Sequence, residues 1–246
     1  MLPDLRERSA DAELMDDRSI AGAELDRALQ ELRIINRLLG SAGPTIEGVA
    51  GIWRAAGCPR RLHILDVGAG SGDVNRALLR WADRRHIDMR ITLVDMHPQT
   101  CKTAAAYYDG EARIQVICAD LLRLALRPAD IVTASLFTHH FSTAQLPAVY
   151  RAMLHCARLG IVVNDLHRHW LAWLAIRLAT RLFSHNRMIR HDAPLSVRRG
   201  FRSAELRALQ CEPALANLQI AWRPWFRYLV IGTAHTTTAS MKEEQR

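Results

Sequence analysis

One stretch restricts the fold more than any other: His63-Ile64-Leu65-Asp66-Val67-Gly68-Ala69-Gly70-Ser71-Gly72-Asp73-Val74. The apolar run Leu62 to Val67 reads as a buried parallel strand, three glycines follow at alternate positions, and a helical pattern begins at Asp73. A strand that turns through glycines into a helix lets backbone N–H groups approach a ligand that side chains would exclude. A dinucleotide cradle needs the spacing G-x-G-x-x-G to hold a pyrophosphate at the helix N-terminus. Here the run is D-x-G-x-G-x-G, with a carboxylate closing the strand. That charge repels phosphate and suits a cationic or amine-bearing ligand.

Around this turn, strand and helix patterns alternate. Helices are expected over 22–39, where Leu25, Leu29, Leu32, Ile35 and Leu39 recur at helical period, and over 45–56 after a break at Gly40-Ser41-Ala42-Gly43-Pro44. Strands are expected at 62–67, 90–95, 113–118, 130–135 and 159–165, with helices at 73–84, 99–108, 143–156 and 167–183. Stretch 191–201 reads as a polar loop before a helix at 203–209, and 218–222 and 226–232 as a hairpin with one strand antiparallel to the rest. This order predicts an α/β fold with a doubly wound, mostly parallel, seven-stranded sheet covered on both faces. The domain reading is an N-terminal helical cap over 1–60, a ligand-binding domain over 61–235 with an inserted helix after the fifth strand, and a disordered polar tail over 236–246.

The five cysteines are scattered with no paired spacing, which argues for reduced thiols in a cytoplasmic protein and against a disulfide framework or a cysteine-based zinc site. No metal is expected. The charged N-terminus gives no signal peptide, and no run approaches the roughly 18 apolar residues of a membrane span. The net charge of +8 invites a nucleic-acid reading, but of 33 basic residues only Lys102 and Lys242 are lysines, and the arginines are spread along the whole chain. Diffuse charge without interleaved aromatics argues against that partner.

In an open α/β sheet, ligands bind outside the carboxyl ends of the strands. Asp95 closes the second strand, where a carboxylate can accept hydrogen bonds from both hydroxyls of a ribose or cap the next helix. Asp120 follows the third strand and reads as a ligand contact or as a turn former. The fourth strand runs Asp130-Ile131-Val132-Thr133-Ala134-Ser135 and then into Phe137-Thr138-His139-His140-Phe141. These positions resemble the motifs of the class I S-adenosylmethionine-dependent methyltransferases, over roughly 62–165. S-adenosylmethionine carries a sulfonium and an ammonium and no phosphate, as the charge of Asp66 requires. The resemblance implies a Rossmann-like fold and a cofactor site of Asp66, Gly68, Gly70, Gly72, Asp95 (ribose), Met96, Asp120 (adenine amino group), Leu121 and Ser135. The His-His-Phe segment is similar to that of the ubiquinone- and menaquinone-type and phenolic small-molecule enzymes. There, His139 or His140 could take a phenolic proton, or both could simply wall the pocket.

The fourth strand lacks the Asn/Asp-Pro-Pro-Tyr signature of many amino-methylating enzymes of nucleic acids. Helix 167–183 carries apolar residues among Arg168, Arg177 and Arg181, which fits an acceptor lid, peripheral membrane contact, or plain packing. Asn164-Asp165-Leu166-His167-Arg168 emerges at the same sheet edge. The expected function is methyl transfer to a small, largely apolar acceptor, most simply an aromatic or polyketide-like hydroxyl. Alternatives are C-methylation of a quinone precursor, an RNA methyltransferase, and a non-catalytic cofactor-binding module.

Overall fold

The computed structural model describes residues 3–123 and 128–234; the expected tail at 236–246 lies outside them. Seven strands form one sheet: β1 (Arg61–Val67), β2 (Asp88–Asp95), β3 (Ile114–Cys118), β4 (Ala129–Ser135), β5 (Ala157–Leu166), β6 (Gln219–Arg223) and β7 (Arg227–Thr233). Their order is β3-β2-β1-β4-β5-β7-β6. The first five run parallel, β7 runs antiparallel to β5, and β6 pairs antiparallel with β7. The order reverses between β1 and β4, so the crevice outside their carboxyl ends is where a doubly wound sheet takes its ligand.

Period-two alternation explains the two faces. Leu62 and Ile64 of β1 pack with one buried cluster, Leu65 and Val67 with another. The first cluster is closed by α2 (Ala42–Ala55), α3 (Asn75–Asp83) and α4 (Pro98–Tyr107) through Val49, Leu78 and Ala104. The second is closed by α5 (Leu146–His155) and α8 (Ser203–Ala208) through Val149, Met153 and Leu206. In a third cluster α1 (Ala23–Leu38) packs on α7 (Arg187–Arg199), with Leu25 and Leu29 against Met188 and Ile189. α2 therefore lies in the sheet's own helical layer, while α1 packs outside it. After β5 the chain forms α6 (Trp170–Phe183) before α7. None of the described helices is long and apolar enough to cross a membrane.

Two sequence expectations are corrected. Gly43-Pro44 does not delay α2, which starts at Ala42; a first-turn residue has no intrahelical partner for its N–H, so proline is tolerated there. Stretch 191–201 is not a loop, since most of it belongs to α7 with Pro194 inside. Tertiary contacts override the proline: Ile189, Leu195 and Val197 are buried, and buried Asp192 accepts the backbone N–H groups of Leu14 and Met15 at 2.8 and 2.9 Å.

Candidate active site

The glycine turn sits at the end of β1, and all three glycines have positive φ, +59° at Gly68, +55° at Gly70 and +75° at Gly72. The two that face the site do different work. A Cβ on Gly68 would lie 1.9 Å from the ring of Phe137, so this glycine lets the segment after β4 close over the turn. A Cβ on Gly70 would meet no heavy atom within 4 Å, so its backbone faces open space at the crevice. Asp95 at the end of β2 braces this geometry: Oδ2 accepts the Gly70 N–H and Oδ1 the His97 N–H, each at 2.9 Å. The helix-capping alternative for Asp95 does not apply, because His97 holds the N-cap position of α4.

Asp66 is buried, and its two oxygens accept from Asn75 Nδ2 at 2.6 Å and Thr133 Oγ1 at 2.7 Å. Burial raises its pKa to about 6, assisted by Asp73 and Asp95 and opposed by those two hydrogen bonds. The carboxylate thus ties β1 to β4 and α3 beneath the turn rather than projecting from it. Met96 is exposed and Leu121 buried. Asp120 makes a turn by accepting the Leu122 N–H at 3.0 Å. Ser135 Oγ lies 2.9 Å from Thr45 Oγ1 of α2.

A polar ligand fits this crevice on two observations. Gly70 presents open backbone, and both ring nitrogens of buried His97, two residues past Asp95, have no hydrogen-bond partner among the described residues. S-adenosylmethionine suits the donor set: a carboxylate, Asp95, stands beside the turn, and no lysine or arginine of the turn waits for a phosphate.

The histidine pair is placed differently from expectation. His139 is 2% exposed; its Nδ1 lies 2.7 Å from Asp165 Oδ1 and its Nε2 3.5 Å from Glu13 Oε1. Burial alone would lower its pKa, but Asp165 and Glu13 override that and raise it to about 9. Burial would likewise raise Asp165, yet His139, Thr138 and the Leu166 N–H hold it well below the usual carboxylate range. His140 Nδ1 lies 2.8 Å from Asp16 Oδ1. A general base must be unprotonated and within reach of its substrate. Both histidines meet carboxylates of this chain, His139 those of Asp165 and Glu13 and His140 that of Asp16 in the N-terminal segment.

Asn164, Asp165 and Arg168 are also turned inward. Asn164 Nδ2 donates to Ser41 O at 2.6 Å, and Arg168 donates to both carboxylate oxygens of Glu205, at 3.0 and 2.6 Å. His167 and Arg168 of that group also line a cleft of about 670 Å³, together with Leu5, His169, Trp170, Arg202 and Tyr228. Sequence reading missed Glu13, Asp16 and Arg227. Arg227 is 2% exposed with Nε and Nη1 unpartnered, and burial lowers its pKa to about 10. Only the apolar frame around Arg227 hinted at burial; Glu13 and Asp16 lie in an unremarkable polar leader.

Topology, glycine turn and braced Asp95 together define the class I methyltransferase fold. Residues 64–160 match the family model described as a methyltransferase domain. No curated protein matches the sequence. Among solved structures, the magnesium protoporphyrin IX methyltransferase of Synechocystis PCC 6803 with bound S-adenosylmethionine is 14% identical, TM-score 0.52, over 80% of each chain. A plantazolicin methyltransferase in complex with a monoazolic desmethyl-plantazolicin analogue and S-adenosylhomocysteine is 11% identical, TM-score 0.62, over 85% of this chain and 89% of that one. Human N-acetylserotonin methyltransferase with S-adenosylmethionine is 15% identical, TM-score 0.58, over 86% of this chain and 56% of that one. At these identities the structures share the fold. Residues 64–160 are thus similar to a methyltransferase domain, set within the class I methyltransferase fold.

Proposed function

We propose that this protein methylates a small, largely apolar acceptor, an aromatic or polyketide-like hydroxyl, in the cleft beyond β5. The observation that carries this reading is the cleft itself. Its roughly 670 Å³ falls within the range of about 300–1,000 Å³ typical of small-molecule sites, and His167, His169, Trp170 and Tyr228 line it beside Arg168 and Arg202. Within it His167 lies edge-on to Tyr228 with ring centroids 5.1 Å apart, and His169 stacks with Trp170 at 6.0 Å. Such a slot suits a planar ring better than a nucleic-acid backbone. The named substrates of the structural neighbours, a porphyrin, an azole peptide and N-acetylserotonin, are also small molecules.

In this reading Gly68, Gly70, Gly72, Asp95, Met96, Asp120, Leu121 and Ser135 hold the donor, with Asp95 on the ribose hydroxyls, while buried Asp66 braces the turn from beneath. The bound donor supplies a methyl already activated on a sulfonium. The chain's own part is alignment: the cradle fixes one reactant, and the cleft orients the other. With both histidines engaged by carboxylates, transfer by proximity is favoured over histidine base catalysis.

Transfer of labelled methyl from S-adenosylmethionine to a panel of phenols, quinols, hydroxylated polyketides and RNA tests the proposal. Label should appear on a small hydroxylated aromatic. Label confined to RNA, or to carbon of a quinol, would replace the acceptor named here.

A further inference from the structure

Glu13, His139 and His140 converge where the N-terminal segment crosses the carboxyl end of β4. One ligand-competent atom from each lies within 4.8 Å of the other two. Glu13 Oε1 and His139 Nε2 are 3.5 Å apart, and the two imidazole rings are 4.3 Å apart between centroids. A tetrahedral ion holding nitrogen and oxygen at about 2.0–2.1 Å sets neighbouring ligand atoms roughly 3.4 Å apart. The first pair already has that separation. The third atom needs to draw in by no more than a side-chain adjustment.

Two further features point to a ligand. His139 Nε2 is buried and faces Glu13 Oε1 at 3.5 Å, with no shorter polar contact among the described residues. Both rings are also oriented from behind by carboxylates: His139 Nδ1 lies 2.7 Å from Asp165 Oδ1, and His140 Nδ1 2.8 Å from Asp16 Oδ1. Asp165 is fixed in turn by Thr138 Oγ1 at 2.7 Å, and Glu13 Oε1 accepts from Ser196 Oγ of α7 at 2.9 Å. Carboxylates that orient histidine ligands and raise their basicity are the recurring outer shell of metal sites. His140 is the partly exposed member and gives an ion its way in.

We propose that Glu13, His139 and His140 form a binding site for one divalent cation of the zinc class. Its three protein ligands, two nitrogens and one carboxylate, leave a fourth position for water or a substrate oxygen. The bound ion ties the segment ahead of α1 to the end of β4, because Glu13 comes from one and the histidines from the other. The scattered cysteines excluded a cysteine-based zinc site; this one uses none.

The test is metal binding by the full-length chain, independent of turnover. Metal-free protein is titrated with Zn²⁺ by calorimetry and with Co²⁺ by visible absorption. One Zn²⁺ per chain is expected, with Co²⁺ bands of a four-coordinate site that Zn²⁺ displaces. Glu13→Gln and His140→Gln should weaken Zn²⁺ binding by roughly a hundredfold or more, and Asp16→Asn by about tenfold, as for lost ligands and their outer partners. His63→Gln, at a half-buried histidine in β1, should leave it unchanged. Should the buried Glu13→Gln not fold, His140→Gln carries the test, with S-adenosylhomocysteine binding as the check that it is folded. Absence of stoichiometric Zn²⁺ binding, or undiminished affinity in folded His140→Gln, overturns the proposal.

Discussion

Gly70→Ala separates a cofactor cradle from a mere turn. Gly70 has φ of +55° and no heavy atom within 4 Å of an added Cβ. Alanine there carries a backbone cost of about 1–2 kcal/mol for the left-handed conformation. A stiffer unfolded chain offsets about 0.4–1 kcal/mol of it, leaving a net loss near 1 kcal/mol. For a chain of this size that lowers Tm by about 2–4 °C. Gly110 makes a matched control, with φ of +78° and equally open surroundings outside the crevice, so Gly110→Ala should lose about the same. The two variants should part on cofactor. If the space before Gly70 holds S-adenosylmethionine, the added methyl intrudes on it, and overpacking of that kind costs about 1–3 kcal/mol. At 1.4 kcal/mol per tenfold, Kd for S-adenosylhomocysteine should rise roughly five- to 150-fold in Gly70→Ala and stay at the wild-type value in Gly110→Ala. Calorimetric titration beside thermal unfolding reads both quantities. Equal, wild-type affinity in both variants would falsify the placement of the cofactor at Gly70. Gly68→Ala cannot serve, because its Cβ would strike Phe137 and confound fold with site.

Two further outcomes follow from burial. Trp170 lines the cleft and is 47% exposed, whereas Trp173, one turn on, is 6% exposed; Trp170→Ala should raise the acceptor KM with little change in Tm, while Trp173→Ala should cost about 3–5 kcal/mol of stability. Equal Tm losses in both variants would make this face of α6 core rather than cleft wall. Asp66, held near a pKa of about 6 against an ordinary 3.8, stabilises the fold in its protonated form. Its contribution is full below about pH 4 and is lost as pH rises through about 6, a change of about 3 kcal/mol. Asp66→Asn cannot ionise, so its stability relative to wild type should improve by about that much between pH 4 and 7.5 in denaturant titrations; parallel pH profiles would contradict the buried, raised-pKa reading.

The sequence by itself determined the strand–turn–helix at 61–83, the alternation of strands and helices through β5, and the hairpin of β6 and β7. Those features are local: apolar runs of strand length, helical spacing of leucines, and glycines at fixed intervals leave little choice of backbone. It also set Asp95 at a strand end, where topology alone directs it to the crevice. Only the tertiary structure decided which way side chains turned. His139 and His140 look like free imidazoles in the string, yet Glu13 and Asp16, more than 120 residues away, come to meet them along with Asp165. Pro194 reads as a helix breaker until burial of its neighbours against α1 and the N-terminal segment outweighs the lost hydrogen bond. Arg227 enters the interior because it lies beside Leu166 on the neighbouring strand, a register that no pattern in β7 alone encodes. Local pattern fixes backbone conformation; burial, pairing and the charge a side chain meets depend on what the rest of the chain brings to it.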